Sequence, residues 1–108
     1  MSPALAAWRA LSRVAAPAAR LWLARRAARG REDPGRLGER RGIAAAPRPE
    51  GPLVWLHGAS VGEALAALTL AGAMAQARPG LAFLLTSGTR TSAQVVAPLL
   101  PPGAFHQF

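Results

Sequence analysis

The chain has no cysteine and no lysine, and only five acidic residues among 108. Without cysteine there can be no disulfide, no thiolate zinc site and no cysteine nucleophile, and the composition fits a reducing compartment. Two nucleotide fingerprints are also missing, the G-x-G-x-x-G turn and the G-x-x-x-x-G-K-[ST] loop, and so is any internal repeat. Bulky apolar side chains are scarce. Apolar residues make up 51% of the chain, but 26 of them are alanine. A chain of this length allows one small domain, with a core that is marginal by itself.

What the sequence does have is arginine, unevenly placed. Arg9, Arg13, Arg20, Arg25, Arg26, Arg29 and Arg31 fall within the first 31 residues with no acid among them, so this arm carries +7. The remainder sets six arginines against Glu32, Asp33, Glu39, Glu50 and Glu63. A basic arm thus precedes a nearly neutral body and suits anionic partners, lipid headgroups or nucleic acid. On a helical wheel Trp8, Leu11, Val14, Ala15, Ala18, Leu21 and Trp22 share one side, with Arg9, Arg13 and Arg20 opposite. Tryptophan on an apolar face and arginine on a polar one describe an amphipathic helix over residues 1–29 that lies on an anionic membrane surface. Pro17 is expected to kink or split it. The uncharged stretch Val14 to Ala19 is far short of the roughly 20 residues that span a bilayer, and arginines interrupt any signal-peptide core. No glycine-aromatic or recognition-helix pattern accompanies the arginines, so nucleic acid is not the expected partner.

From Gly30 to Pro52, glycine and proline break every periodicity, which predicts a linker with at most a short helical turn. Its run Gly38-Glu39-Arg40-Arg41-Gly42 has the look of a solvated charge cluster. Beyond it, Leu53 to His57 is a short apolar run closed by Gly58, a buried strand. Val61 to Ala77 reads as a helix stopped by Pro79-Gly80. Leu81 to Thr86 reads as a second strand, and Arg90 or Thr91 to Leu100 as a second helix interrupted near Pro98. Ala104 to Phe108 starts a third strand. The order β-α-β-α-β with short loops predicts an α/β fold, a Rossmann-like parallel sheet over residues 53–108 that stops in mid-strand, as a truncated domain would.

In such sheets the chemistry sits where the strands end. Ser60 is placed to cap the helix that follows the first strand, with Glu63 three residues later in the capping-box position. Val61, Ala64, Leu65, Leu68 and Ala75 form the expected sheet-facing stripe, which aims Glu63 at the open crevice. Glu63 therefore fits two roles: completing the capping box, or acting as a general base at a helix terminus that favours negative charge. Ser60, Gly62, Ser87 and Thr89 bring hydroxyls and backbone amides to the strand ends, suited to hold an acceptor or a phosphate. Ordinary turn chemistry would use the same residues. His57 reads as structural. His106 has no evident partner, and the two histidines lack metal-ligand spacing, so neither a metal nor a cofactor is expected.

The segment Trp55-Leu56-His57-Gly58-Ala59-Ser60-Val61-Gly62-Glu63 resembles the signature of the 3-deoxy-D-manno-octulosonic acid (Kdo) transferases. Gly38 to Gly42 resembles the stretch before their first strand, Leu84 to Ser92 their threonine-rich second turn, and His106-Gln107-Phe108 their approach to the third strand. Arg90 stands where proline is common in that family and Ser92 where glycine is common. The resemblance implies a membrane-associated glycosyltransferase of two facing Rossmann-like domains, the GT-B arrangement, of which residues 53–108 would be part of the N-terminal, acceptor-side domain. It implies Kdo transfer from CMP-Kdo to a lipid A precursor (lipid IVA) at the cytoplasmic face of an inner membrane, in lipopolysaccharide biosynthesis, with Glu63 as the catalytic base. The donor would bind mostly through a C-terminal domain, so the fragment alone is expected to be inactive. Two other classes remain compatible with the residues: a non-catalytic membrane-surface adaptor, and another nucleotide-sugar glycosyltransferase.

Overall fold

The structure is a computed structural model that describes residues 1–108. It separates into two compact units, Met1–Pro34 and Gly35–Phe108. The second unit is built on three parallel strands in the order β1-β2-β3: β1 (Leu53–Gly58), β2 (Ala82–Ser87) and β3 (Ala104–Gln107). Two helices connect them, α2 (Val61–Ala77) and α3 (Arg90–Val96). The arm forms α1 (Pro3–Ala28). This is the α/β parallel architecture expected from the order of apolar runs and helical stretches. Strand ends shift by one residue, and Pro98 turns the end of the third helix into a 3-10 turn, Ala97–Leu99.

Register explains which side chains meet. Trp55 pairs with Leu84 and His57 with Thr86, while Leu84 pairs with Phe105 and Leu85 with His106. Residues in one row share a face, and neighbours along a strand alternate. Leu56 and Leu85 point towards the helices, where Leu85 joins Ala64 and Val96 in the buried core. Trp55 and His57 therefore lie on the opposite face. Helix α2 buries Ala64 and Ala71, with Ala67 and Leu68 packed on the core. Leu65, expected on that stripe, is instead 37% exposed. A wheel drawn through Leu65 is tilted one position; the narrow buried seam runs through alanines, which let the helix backbone approach the sheet.

That approach is close enough to require glycine. A Cβ on Gly58 would sit 2.5 Å from the Ala64 backbone nitrogen. Residues 35–52, expected to be a linker, belong to the same compact unit as the sheet. Glu39 starts a 3-10 turn, Glu39–Arg41, and is only 7% exposed, so the expected solvated charge cluster is corrected: its acid is buried.

In the first unit α1 is one helix with Pro17 inside it, so of the expected kink or split the split does not occur. Proline removes one backbone donor and its ring crowds the carbonyl of Arg13, a local cost that the strong helix formers alanine, leucine and arginine along α1 offset. Ser2 caps the helix by accepting from Leu5 N at 3.3 Å. Arg26 closes the arm on itself through Glu32, 3.0 Å away. Trp8 and Trp22 are 65% and 58% exposed. No helix is long and apolar enough to cross a membrane.

The two glycines near the first turn should behave oppositely. Gly58→Ala forces a methyl into the α2 backbone and should cost about 1–3 kcal/mol, the usual range for overpacking. Gly62 has open space around its Cα, and Gly62→Ala should stabilise the helix by up to about 1 kcal/mol. Denaturant unfolding of the two variants beside the parent chain checks the sign of each; equal effects would contradict the packing described.

Candidate functional site

Two turns form the mouth of the sheet at the carboxyl ends of β1 and β2, and they touch. A Cβ on Gly88 would lie 2.7 Å from the Ala59 carbonyl oxygen. In the first turn Ser60 caps α2, its Oγ accepting from Glu63 N at 3.3 Å. Glu63 answers with Oε2, which accepts from Ala59 N at 2.6 Å and from Ser60 N at 3.2 Å. The capping box is therefore present. Both bonds fall on one oxygen, leaving Oε1 of the exposed carboxylate uncommitted. Gly62 adds no side chain to the first turn of α2, so a ligand can come up to the backbone there.

The second turn repeats the device. Thr89 caps α3, accepting from Ser92 N at 3.0 Å through Oγ1, while Ser92 Oγ accepts from Thr89 N at 3.2 Å. Arg90 occupies the first helical position, the one place in a helix that accommodates proline as readily. Ser92, which replaces a glycine common in the resembling family, is fully buried. Its Oγ lies 2.7 Å from both Ser87 Oγ and the Thr89 carbonyl oxygen. Ser87 is only 2% exposed, so its hydroxyl faces inward and Thr89 carries the exposed side of the turn.

His106, for which no partner was expected, has two. Arg36 Nη2 lies 3.0 Å from its Nδ1, and Ser87 Oγ lies 2.7 Å from its Nε2. Arg36 also donates to the His106 carbonyl oxygen and holds Glu39 with two bonds, Nε to Oε1 at 3.0 Å and Nη2 to Oε2 at 2.7 Å. Glu39 Oε2 in turn accepts from Phe108 N at 3.0 Å. The Arg36 and Arg40 guanidinium groups lie 4.4 and 4.2 Å from the centre of the Phe108 ring. Burial, then the Arg36 charge, pushes the His106 imidazole down to about 4; Arg40 adds to this and Glu39 opposes it. His106 is neutral near neutrality. Arginine has no lone pair to offer, so Nδ1 accepts and Nε2 carries the proton donated to Ser87.

On the other face of the sheet Thr86 Oγ1 accepts from Trp55 Nε1 at 2.9 Å and lies 2.8 Å from His57 Nδ1. This pairing orients the exposed His57 ring at the end of β1. No group of three or more acidic or imidazole side chains gathers anywhere in the chain.

Arg36, Glu39 and His106 were missed by the reading of the sequence because they lie some 70 residues apart and meet only through β3. The one local signal was a single acid set between glycines and arginines, Gly38 to Gly42. Trp55 and His57 left a clearer one, the alternation that places both on one face of β1.

An α/β layer whose two capped turns gather hydroxyls, amides and a carboxylate places its polar groups at the carboxyl ends of the strands, where open α/β sheets bind ligands. Residues 35–108 match the family described as 3-deoxy-D-manno-octulosonic-acid transferase (kdotransferase), and the chain belongs to it. It is 48% identical over 56 residues to a 3-deoxy-D-manno-octulosonic acid transferase of Rickettsia felis, covering 52% of this chain and 12% of that protein. It is 40% identical over 78 residues to the Rickettsia bellii transferase, covering 72% and 19%. It is 36% identical over 101 residues to a probable mitochondrial 3-deoxy-D-manno-octulosonic acid transferase of Arabidopsis thaliana, covering 94% and 23%. The chain thus spans between about an eighth and a quarter of these relatives. No solved structure matches it.

The His106 imidazole gives the domain a pH signature. Its folded value of about 4 lies below the ordinary imidazole value of 6.5. Between the two the unfolded chain binds the proton and the folded chain does not. Stability is therefore full above pH 6.5 and falls as pH drops towards 4, by on the order of 1–2 kcal/mol for a half-buried ring. His106→Gln should flatten the pH dependence of the unfolding midpoint in this window. An unchanged profile would mean that the ring titrates normally.

Proposed function

We propose that the chain is the acceptor-side part of a glycosyltransferase that moves Kdo from CMP-Kdo to a lipid A precursor, lipid IVA. The reading includes the GT-B arrangement and a place at the cytoplasmic face of an inner membrane, within lipopolysaccharide biosynthesis. The observation that carries it is the Glu63 carboxylate, held by two backbone amides on Oε2 with Oε1 free, within the segment matched to the Kdo transferase family. In the proposed reaction Oε1 takes the proton of the acceptor hydroxyl. The hydroxyl oxygen bonds to the anomeric carbon of Kdo as the bond to the phosphate of CMP breaks, and CMP leaves with the electron pair. Ser60, Gly62 and Thr89 line the mouth with a hydroxyl, an approachable backbone and a second capped turn, suited to hold the acceptor. Ser87, facing inward, supports this turn from beneath. The donor would be held mostly by a second Rossmann-like domain.

The arm supports the membrane part of the proposal. Near an anionic surface each arginine contributes on the order of 1 kcal/mol, while Trp8 and Trp22 are exposed, the second with the Arg26 guanidinium 4.9 Å from its ring centre. A peptide of residues 4–29 should bind anionic vesicles with a blue shift of tryptophan emission, and salt should weaken the binding. Equal binding to neutral vesicles at high salt would remove its electrostatic basis, and no binding to either would remove the membrane assignment.

Glu63→Gln in a transferase carrying this chain separates the base from the cap. The amide keeps the size of the side chain and an oxygen for the Ala59 and Ser60 amides, but it cannot take a proton. Loss of a positioned base lowers turnover by about 10²- to 10⁴-fold, whereas loss of a cap costs about 1 kcal/mol of stability. Kdo transfer to lipid IVA should collapse with the fold and CMP-Kdo binding intact. A variant that keeps more than about a tenth of wild-type kcat, a barrier change under about 1.4 kcal/mol, would sink the assignment.

A further inference from the structure

The contacts that lead from Arg36 and Glu39 through His106 of β3 to the end of β2 do more than join segments. Arg36 presents only donors to His106 Nδ1. Of the three states open to an imidazole, two place a hydrogen on Nδ1 facing that guanidinium, and both are disfavoured. One remains, neutral with its proton on Nε2, and this proton points at Ser87 Oγ, 2.7 Å away. Ser87 has little freedom, being 2.7 Å from Ser92 Oγ, and Ser92 is bonded to both the amide and the carbonyl of Thr89. The path from Arg36 to the Thr89 turn therefore consists of consecutive hydrogen bonds between buried or half-buried groups. Glu39 fixes its starting point, gripping Arg36 with two bonds while also accepting from Phe108 N.

We propose that Arg36 and His106 are positioning residues for the turn at the end of β2: Arg36 holds His106 in one tautomer, and the Nε2–H of His106 then fixes Ser87 and, through Ser92, the turn that carries Thr89. This rests on the assignment of that turn to the acceptor site. The charged groups facing the ring are Arg36, Glu39 and Arg40; Ser87 is its neutral partner. The arrangement holds an amide-rich turn in one geometry from buried and half-buried groups beneath it, which leaves the turn free to meet a polar sugar or a phosphate.

Imidazole nitrogen NMR on the 108-residue chain, with amide exchange read at Gly88 and Thr89, tests the positioning. The parent ring should show an unprotonated Nδ1 and a protonated Nε2 at neutral pH. Arg36→Met should release the tautomer and speed exchange of the two turn amides about tenfold or more, while the amides in the middle of α2 stay unchanged. Because that variant strands the buried Glu39, the double variant Arg36→Met/Glu39→Gln removes both charges and should give the same loosened turn in a folded chain. Arg36→Lys keeps a donor near Nδ1 and should stay within about threefold of the parent. A parent ring protonated on Nδ1, or turn amides that exchange as in the parent when Arg36 is methionine in both variants, would overturn the proposal. In a transferase carrying this chain, Arg36→Met should raise the KM for lipid IVA more than it lowers kcat, with Arg36→Lys restoring it. A loosened turn with unchanged transfer kinetics would leave the positioning intact and overturn the assignment of the turn to the acceptor site.

Discussion

The closeness of backbone to backbone at the strand ends governs the rest of the unit. At Gly58 the first strand meets the start of α2, and at Gly88 the second turn meets the carbonyl of the first. A side chain at either place would wedge the turns apart and carry Glu63 and Thr89 away from each other. The same closeness sets the character of the core. A helix that approaches a sheet through Ala64 and Ala71 buries little apolar area per residue, since each missing methylene forgoes about 0.8 kcal/mol. Phe83 and Val96 are the largest apolar side chains wholly removed from water. So thin a core makes polar links between segments matter more than they would in a domain packed with leucine.

One such link accounts for where the family resemblance begins. The match starts at residue 35 rather than at β1, and the compact unit starts at Gly35 as well. Residues 35–41 contribute almost no apolar surface to the core. Their role is ionic: Glu39 is buried only because Arg36 and the Phe108 amide satisfy it. Removing one partner of such a pair leaves a charge without compensation, which in buried sites costs about 3–5 kcal/mol and somewhat less here because Arg36 is partly wet. Gln107 adds a second tie on the opposite face, accepting from the amides of Ala45 and Ala46. Segment and strand hold each other in place.

These distances along the chain mark the boundary between what sequence discloses and what it does not. Strand β1, helix α2 and the capping pair Ser60 and Glu63 were legible because each rests on residues within a few positions of one another: an apolar run, a helical period, a cap with its partner three residues on. Leu65 was misplaced because alanine-rich helices give a weak hydrophobic period, and the eye follows leucine when the seam runs through alanine. Pro17 argued for a break on local grounds, and the helix continues through it. His106 and Glu39 were unreadable for a different reason. Their burial is created by partners in other segments, and no local pattern reports a hydrogen bond that closes a loop of about 70 residues.

Glu63 is the residue for which two roles compete, and its capping geometry leaves room for the proposed one. A carboxylate has two oxygens. In a capping box one of them is used, and here Oε2 takes both the Ala59 and the Ser60 amides. Those bonds do for the side chain what a base requires, since a proton acceptor is effective only when its orientation is settled before the substrate arrives. The cap supplies that orientation from the backbone itself, and Gly62 beside it leaves open space at the turn. Capping through Oε2 is therefore compatible with the proton transfer proposed for Oε1.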